Sequence, residues 1–297
     1  MKELPGFLAG SNPMHTVSLD NQRTINLMPV LAGQSAKSPI ALIGTPGLNL
    51  ITNISNTAIR GIHQVNSYWY IVTGNQVWQI DLTLSLIQAT GTLNTSVGLV
   101  SMANNNNNQL AIVDGSNLYI CTTGSLTPAL TTITNYFDTP FGQLFKPTTI
   151  CFLNQYFIAS EASSQNFHWS NLNDGTKWNT LDFDVAANNP TPIVGLAVQN
   201  GLLYIFKTDQ TEIWANNPTQ TTIGQTTIGF PFNYTGNVIP FGLAGVNCFK
   251  LVNNGIAWLT STVLTGPHIV FTVGVQEQLI STPSMEQFIG SFGDFSN

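Results

Sequence analysis

Charge is what this chain has least of. Lys, Arg, Asp and Glu together make 7% of its 297 residues, where an ordinary globular domain has roughly a quarter. Only eight are basic, and Lys2, Arg23, Lys37, Arg60, Lys146, Lys177, Lys207 and Lys250 are scattered along the chain. No basic cluster exists to neutralise phosphates, so tight or sequence-reading nucleic-acid binding is not expected. Cysteine is scarce too. Cys121, Cys151 and Cys248 have neither a paired nor a metal-ligand spacing; they read as small hydrophobes in a reducing compartment. No stretch approaches the ~18 consecutive apolar residues of a membrane-spanning helix, so no membrane insertion is expected. The first ten residues lack the apolar core of a secretory signal, which leaves the Asn-x-Ser/Thr triplets at Asn53, Asn94 and Asn233 without meaning for glycosylation.

What is abundant is neutral. The chain is 43% hydrophobic and carries 32 Asn and 35 Thr at a net charge of −6. A monomer that stays soluble alone usually carries more charge. A surface of amides, hydroxyls and apolar groups suits large subunit contacts; a compositional habit of the source is the other reading.

One pattern recurs five times: a short apolar strand, a turn built on asparagine, and a second, more apolar strand. The turn asparagines are Asn66, Asn108, Asn154, Asn200 and Asn254, separated by 42, 46, 46 and 54 residues. Asparagine tolerates the positive φ that a tight hairpin turn requires. The runs that follow include Tyr68-Trp69-Tyr70-Ile71-Val72, Tyr156-Phe157-Ile158-Ala159 and Leu202-Leu203-Tyr204-Ile205-Phe206, with Trp69, Phe157, Leu203 and Ala257 at equivalent places. A further turn and a third strand ending on an aromatic come next (Trp78, Tyr119, Trp169, Trp214, Phe271), and then a looser outer strand. Several strands per repeat at a period of roughly 40–50 residues predict an all-β fold, a β-propeller with five recognisable blades. The Asn-rich run 104–108 reads as a longer hairpin tip, and Met285 to Ile289 as at most one helical turn.

The ends suggest an interrupted sixth blade. Residues 48–52 (Leu-Asn-Leu-Ile-Thr) stand where an outer strand would precede the first repeat, and only 17 residues follow Ile280. The expectation is a propeller domain at 45–297, truncated at its C-terminal end, whose sixth blade is incomplete or is closed by the N-terminal strand, preceded by an extended N-terminal segment, 1–44, acting as an interface or clasp. The alternative is that residues 288–295 fold back to close a smaller ring.

Catalytic motifs are sparse. No Gly-x-Ser-x-Gly or Ser-x-x-Lys occurs, and His15, His63, His168 and His268 sit in four separate segments. The best enzymatic case is the acid group Glu161, Asp174, Asp182 and Asp184, because glycosidases need two carboxyl groups flanking a sugar bond. These acids lie on turn-like sequence within one repeat, where turn and capping roles are the better expectation. Ser170-Asn171-Leu172-Asn173-Asp174-Gly175-Thr176-Lys177-Trp178 is similar to the Asp-box of sialidase-like propellers, a structural device, although Asn173 and Lys177 depart from its pattern.

Ordered landmarks carry a more specific likeness. Asp20-Asn21-Gln22-Arg23-Thr24-Ile25-Asn26-Leu27-Met28-Pro29, Thr45-Pro46-Gly47-Leu48, Ile59-Arg60-Gly61, the run from Ser170 through Trp178 to Leu181-Asp182-Phe183, Phe206 with Thr211-Glu212-Ile213-Trp214, Pro231-Phe232 and Ile280-Ser281 follow one another in order. The chain in this respect resembles the packaged-DNA stabilisation, or tail-nozzle, proteins of short-tailed double-stranded-DNA bacteriophages. It departs from them in replacing charged residues by Asn, Thr and Ala, and in lacking the family's further C-terminal strands. The resemblance implies a non-enzymatic virion part without cofactor or metal, located in the tail and assembled in the host cytoplasm. It implies a homo-oligomer, most simply a hexamer, forming a ring below portal and adaptor. Such a ring continues the DNA channel, lets double-stranded DNA pass without reading it, and is closed by a needle or plug. Gln22, Arg23, Thr24, Ile25, Asn26, Leu27 and Pro29, outside the repeats, are the candidate subunit-contact residues. A channel poor in bases and net negative would let DNA slide. The rival expectation is a carbohydrate-binding or glycoside-cleaving propeller, with two carboxylates close together in a pocket.

Overall fold

The structure, a computed structural model, describes residues 26–31, 40–55, 57–134, 145–223, 226–262 and 266–292. It contains five four-stranded antiparallel sheets laid down one after another. Blade 1 is β3 (Ile59–Val65), β4 (Tyr68–Thr73), β5 (Gln76–Ile80) and β6 (Leu86–Gln88). Blade 2 is β7 (Ser101–Asn104), β8 (Gln109–Val113), β9 (Leu118–Thr122) and β10 (Leu130–Ile133). Blade 3 is β11 (Pro147–Leu153), β12 (Tyr156–Glu161), β13 (Asn166–Asn171) and β14 (Asp174–Val185). Blade 4 is β15 (Ile193–Gln199), β16 (Leu202–Lys207), β17 (Thr211–Ile223) and β18 (Thr226–Ile239). Blade 5 is β19 (Phe249–Val252), β20 (Gly255–Thr262), β21 (Gly266–Val273) and β22 (Gln276–Leu279). Ahead of them, β1 (Leu27–Leu31) and β2 (Ile40–Gly44) form a separate two-stranded hairpin. The chain is thus a β-propeller, and the repeat marks its blades.

Turn chemistry explains the register. Asn66, Asn154 and Asn200 each open a two-residue loop, with flanking pairs Val65–Tyr68, Leu153–Tyr156 and Gln199–Leu202; their φ values are 53°, 46° and 52°. Asn108, at φ 56°, ends the longer tip, whose loop is held by the Asn105 side chain accepting the N–H groups of Asn107 and Gln109. In the fifth hairpin the left-handed residue is Asn253 (φ 53°), between the paired Val252 and Gly255. The sequence expectation of Asn254 is therefore one residue late, and Ile256, not Ala257, is equivalent to Phe157 and Leu203. The physical reason is that consecutive asparagines both suit such a turn, and only the pairing decides between them.

Four apolar cores hold the blades face to face. Tyr70, Val72, Leu110 and Tyr119 pack blade 1 on blade 2. Ile120, Phe157, Ala159 and Trp178 pack blade 2 on blade 3. Ile158, Trp169, Leu203 and Trp214 join blades 3 and 4, and Tyr204, Phe206, Ile256 and Trp258 join blades 4 and 5. Among the described residues no such core joins blade 5 back to blade 1. Residues 48–52 form no strand, and Leu48, Leu50 and Ile51 are exposed. An isolated strand with no free inner strand beside it leaves its backbone groups to water. Nor do residues near the end fold back as a strand: Pro283–Gly290 is a helix, α1, capped by Thr282, two turns long where the sequence suggested at most one. Residues 293–297 lie outside the described ones.

Candidate functional site

The inner strands β3, β7, β11, β15 and β19 surround a central cavity of about 600 Å³. Its lining includes Arg60, Ile62, His63, Asn104, Phe152, Asn247 and Lys250 and, among the described residues, no carboxylate. The basic side chains of this cavity are Arg60, His63 and Lys250; the net negative channel that the resemblance implies is that of an assembled ring, a separate surface. The paired carboxylates that glycoside cleavage requires are not brought together there. His63 is hydrogen-bonded to Asn104 at 2.9 Å, and no three metal-ligating side chains cluster among the described residues.

The acids of the third repeat have local partners. Asp174 accepts from the Thr176 N–H and hydroxyl and lies 3.3 Å from Lys177. Burial alone would raise Glu161; hydrogen bonds from His168 and Asn166 outweigh it and hold the carboxyl below its ordinary value. Burial raises Asp182 and Asp184, and Asp184 accepts the N–H of Val185. The Asp-box-like run behaves as a turn device. Asn173 takes φ 52°, Gly175 sits where a Cβ would lie 2.7 Å from Ile120, and buried Trp178 donates its indole N–H to the Gly175 carbonyl.

The buried cations are structural. Arg60 spends its guanidinium on the carbonyls of Gly74, Thr95, Val97 and Gly98 and on the Thr95 hydroxyl, at 2.7–2.9 Å. Thr95 is held in turn by Asp114, so one arginine fixes the link from blade 1 to blade 2. Lys207 does the same between blades 3 and 4. It lies 3.0 Å from Glu212, with both side chains buried, and donates to the carbonyls of Ala186 and Asn189. Three of the ordered landmarks (Ile59-Arg60-Gly61, the Asp-box-like run and Thr211-Glu212-Ile213-Trp214) are thus scaffold parts.

Of the candidate contact residues, Gln22, Arg23, Thr24 and Ile25 lie outside the described residues. Asn26 has φ 55° and accepts the Thr45 N–H; Leu27 and Pro29 belong to β1. Leu27, Met28 and Ile43 are 41%, 51% and 51% exposed, so the hairpin displays apolar side chains. The sequence reading missed a second projecting element. Beyond the pairing of β16 with Ala215, strands β17 and β18 continue as a two-stranded arm to the pair Ile223–Thr226. Its signal was present: Gln220-Thr221-Thr222-Ile223-Gly224 is followed at once by Gln225-Thr226-Thr227-Ile228-Gly229.

A model of the β-propeller family described as Bacteriophage P22 Gp10, a phage stabilisation family, matches residues 6–295. The chain belongs to that family. It is accordingly a phage structural, virion-associated protein. No curated protein matches the chain. Among solved structures, the Cps50 (Swd1) β-propeller domain of Myceliophteria thermophila superposes with a TM-score of 0.55 at 9% identity, over 82% of this chain and 78% of that one. The extracellular domain of the one-component system BT4673 from B. thetaiotaomicron gives 0.50 at 15% identity, over 82% and 32%. At such identities these likenesses speak for the propeller fold alone.

Proposed function

We propose that this member of the phage P22 Gp10 family is one subunit of a homo-oligomeric tail ring, a hexamer by family resemblance. The ring continues the DNA channel below the portal and adaptor, is closed at its tip by a needle or plug, and helps retain packaged DNA without reading its sequence. It assembles in the host cytoplasm and ends in the virion tail. The observation that carries this reading is the family match over residues 6–295. The structure supports it through what it leaves uncovered: apolar residues on the β1–β2 hairpin and on the outer faces of blades 1 and 5. Desolvating ions at a contact is costly, and a chain with 7% charged residues avoids most of that cost. The contacts include Gln22, Arg23, Thr24, Ile25, Asn26, Leu27 and Pro29.

Native mass measurement at ~0.05–0.5 M salt tests this, a range over which the Debye length shrinks about threefold. Apolar and neutral contacts keep their strength as ions are screened, so the same oligomer persists across the series. A protein that is monomeric at every concentration, or a ring that dissociates as salt rises, would sink the reading.

A further inference from the structure

Blades 1 and 5 each have one face packed on a neighbouring blade, and on the other face, among the described residues, no blade packs. On blade 1, Ile62 pairs with Ile71, and Trp69 with Ile80. Directly opposed residues share a face, so this set lies opposite Tyr70 and Val72, which pack on blade 2. At its rim Ile59, Ile62 and Trp69 are 56%, 53% and 40% exposed. On blade 5, Ile256 and Trp258 face blade 4, which turns Val252, Ala257, Phe271 and Val273 the other way; Val252 and Val273 are 40% and 45% exposed. The only charge that the strand pairings put on either face is Lys250, opposite Ala257.

The β1–β2 hairpin is the complementary object. A two-stranded ribbon alone is marginal in water, and this one shows Leu27, Met28 and Ile43 to solvent. It is joined to β3 by residues 45–58, a stretch without a charged side chain. Fourteen residues reach at most ~50 Å when extended, far enough to leave their own subunit. Among the described residues the ribbon and the rims of the two blade faces stay exposed, while Ile71 and Ile80 beneath the rim of blade 1 are buried; the tether is long enough for ribbon and rims to meet. We propose that the β1–β2 hairpin of one copy docks against the uncovered faces of blades 1 and 5 in the next copy. Each copy then donates a ribbon and receives one. That contact joins two different surfaces, and such contacts close into rings when the rotation closes. The proposal rests on the ring reading and names its contact.

The test uses full-length protein with Cys248→Ser as background. Met28→Cys and Ile62→Cys are made in separate preparations, mixed, allowed to assemble and treated with a short bismaleimide. The expected product is a covalent dimer whose joined peptides contain positions 28 and 62. A control pairing with Leu126→Cys, on an exposed loop of blade 2, stays unlinked. In addition, Ile43→Asp, at an exposed position, leaves the melting temperature of the monomer unchanged and raises the concentration for half-assembly by about tenfold or more, the equivalent of ~1.4 kcal/mol. Rings that form without a 28–62 link overturn the docking and leave the ring reading standing. So does a link found only within one chain of the double variant, or assembly unaffected by Ile43→Asp. A protein that never assembles overturns both. Cover of these faces by a different virion protein, seen as protection gained only when that protein is added, also overturns the second-copy assignment.

Discussion

Lys207 and Glu212 hold the link between blades 3 and 4, and breaking their pair should be among the costliest single changes in the chain. The ammonium and carboxylate are 3.0 Å apart with side chains 0% and 1% exposed. Glu212 also accepts the Asn188 N–H and the Trp214 indole N–H. Lys207→Met keeps the length and the apolar stem but strands a carboxylate away from water, at a cost of about 3–5 kcal/mol. Glu212→Gln keeps an acceptor oxygen, and the ammonium keeps two carbonyls, so its cost falls at the low end of that range. The double variant removes both charges. Its cost is smaller than the sum of the singles by about 1–3 kcal/mol, as for groups in direct contact. Urea unfolding followed by tryptophan fluorescence reads this, with Trp214 inside the perturbed hairpin. With a slope of about 3 kcal/mol/M, Lys207→Met moves the midpoint by ~1 M or more. A shift too small to resolve, or strictly additive singles, would show that the pair does not hold this junction.

Two further outcomes follow from the same packing. Gly175→Ala places a Cβ 2.7 Å from Ile120 and 2.9 Å from Phe157; overpacking of that kind costs about 1–3 kcal/mol, read as a lower urea midpoint. Burial would raise Asp114, yet N–H donors from Asn117, Ser116 and Thr95 and the Thr95 hydroxyl keep it below its ordinary value. A carboxyl depressed in the folded state stabilises above its unfolded pKa of about 3.9 and loses that contribution as pH falls through the folded value. Asp114→Asn is therefore less stable at pH 7 and shows a flatter loss of stability below pH ~4. Parallel pH profiles for the two proteins would contradict this.

The blades were legible because each carries its own instructions: an asparagine able to take positive φ, an apolar second strand, and an aromatic within the third strand. Asn66, Asn154 and Asn200 needed nothing beyond local chemistry. Asn253 and Asn254 could not be separated locally, since either suits the turn and only the pairing of Val252 with Gly255 decides. Trp69 shows the other limit. Its place in the register was readable, but its 40% exposure arises because, among the described residues, no blade packs on that side of blade 1, which no local pattern encodes. Residues 48–52 have strand-like composition and no partner, so composition misled. The buried pair of Lys207 and Glu212 was visible only as two charges in apolar runs across a hairpin, and Arg60 as part of a landmark. Their work as clamps on inter-blade links depends on contacts 18–38 residues away. The central cavity's lack of carboxylates among the described residues likewise depends on which residues the inner strands turn inward.

The central claim is that the uncovered blade faces exist to be covered in a ring of identical subunits. Electron cryomicroscopy of the purified, assembled protein tests it most directly. The account predicts a closed ring around an open channel, with the outer faces of blades 1 and 5 packed against ordered protein and the β1–β2 hairpin inside a subunit contact. Particles of single propellers, or a ring whose contacts leave Ile62, Trp69 and Val273 facing solvent, would contradict it.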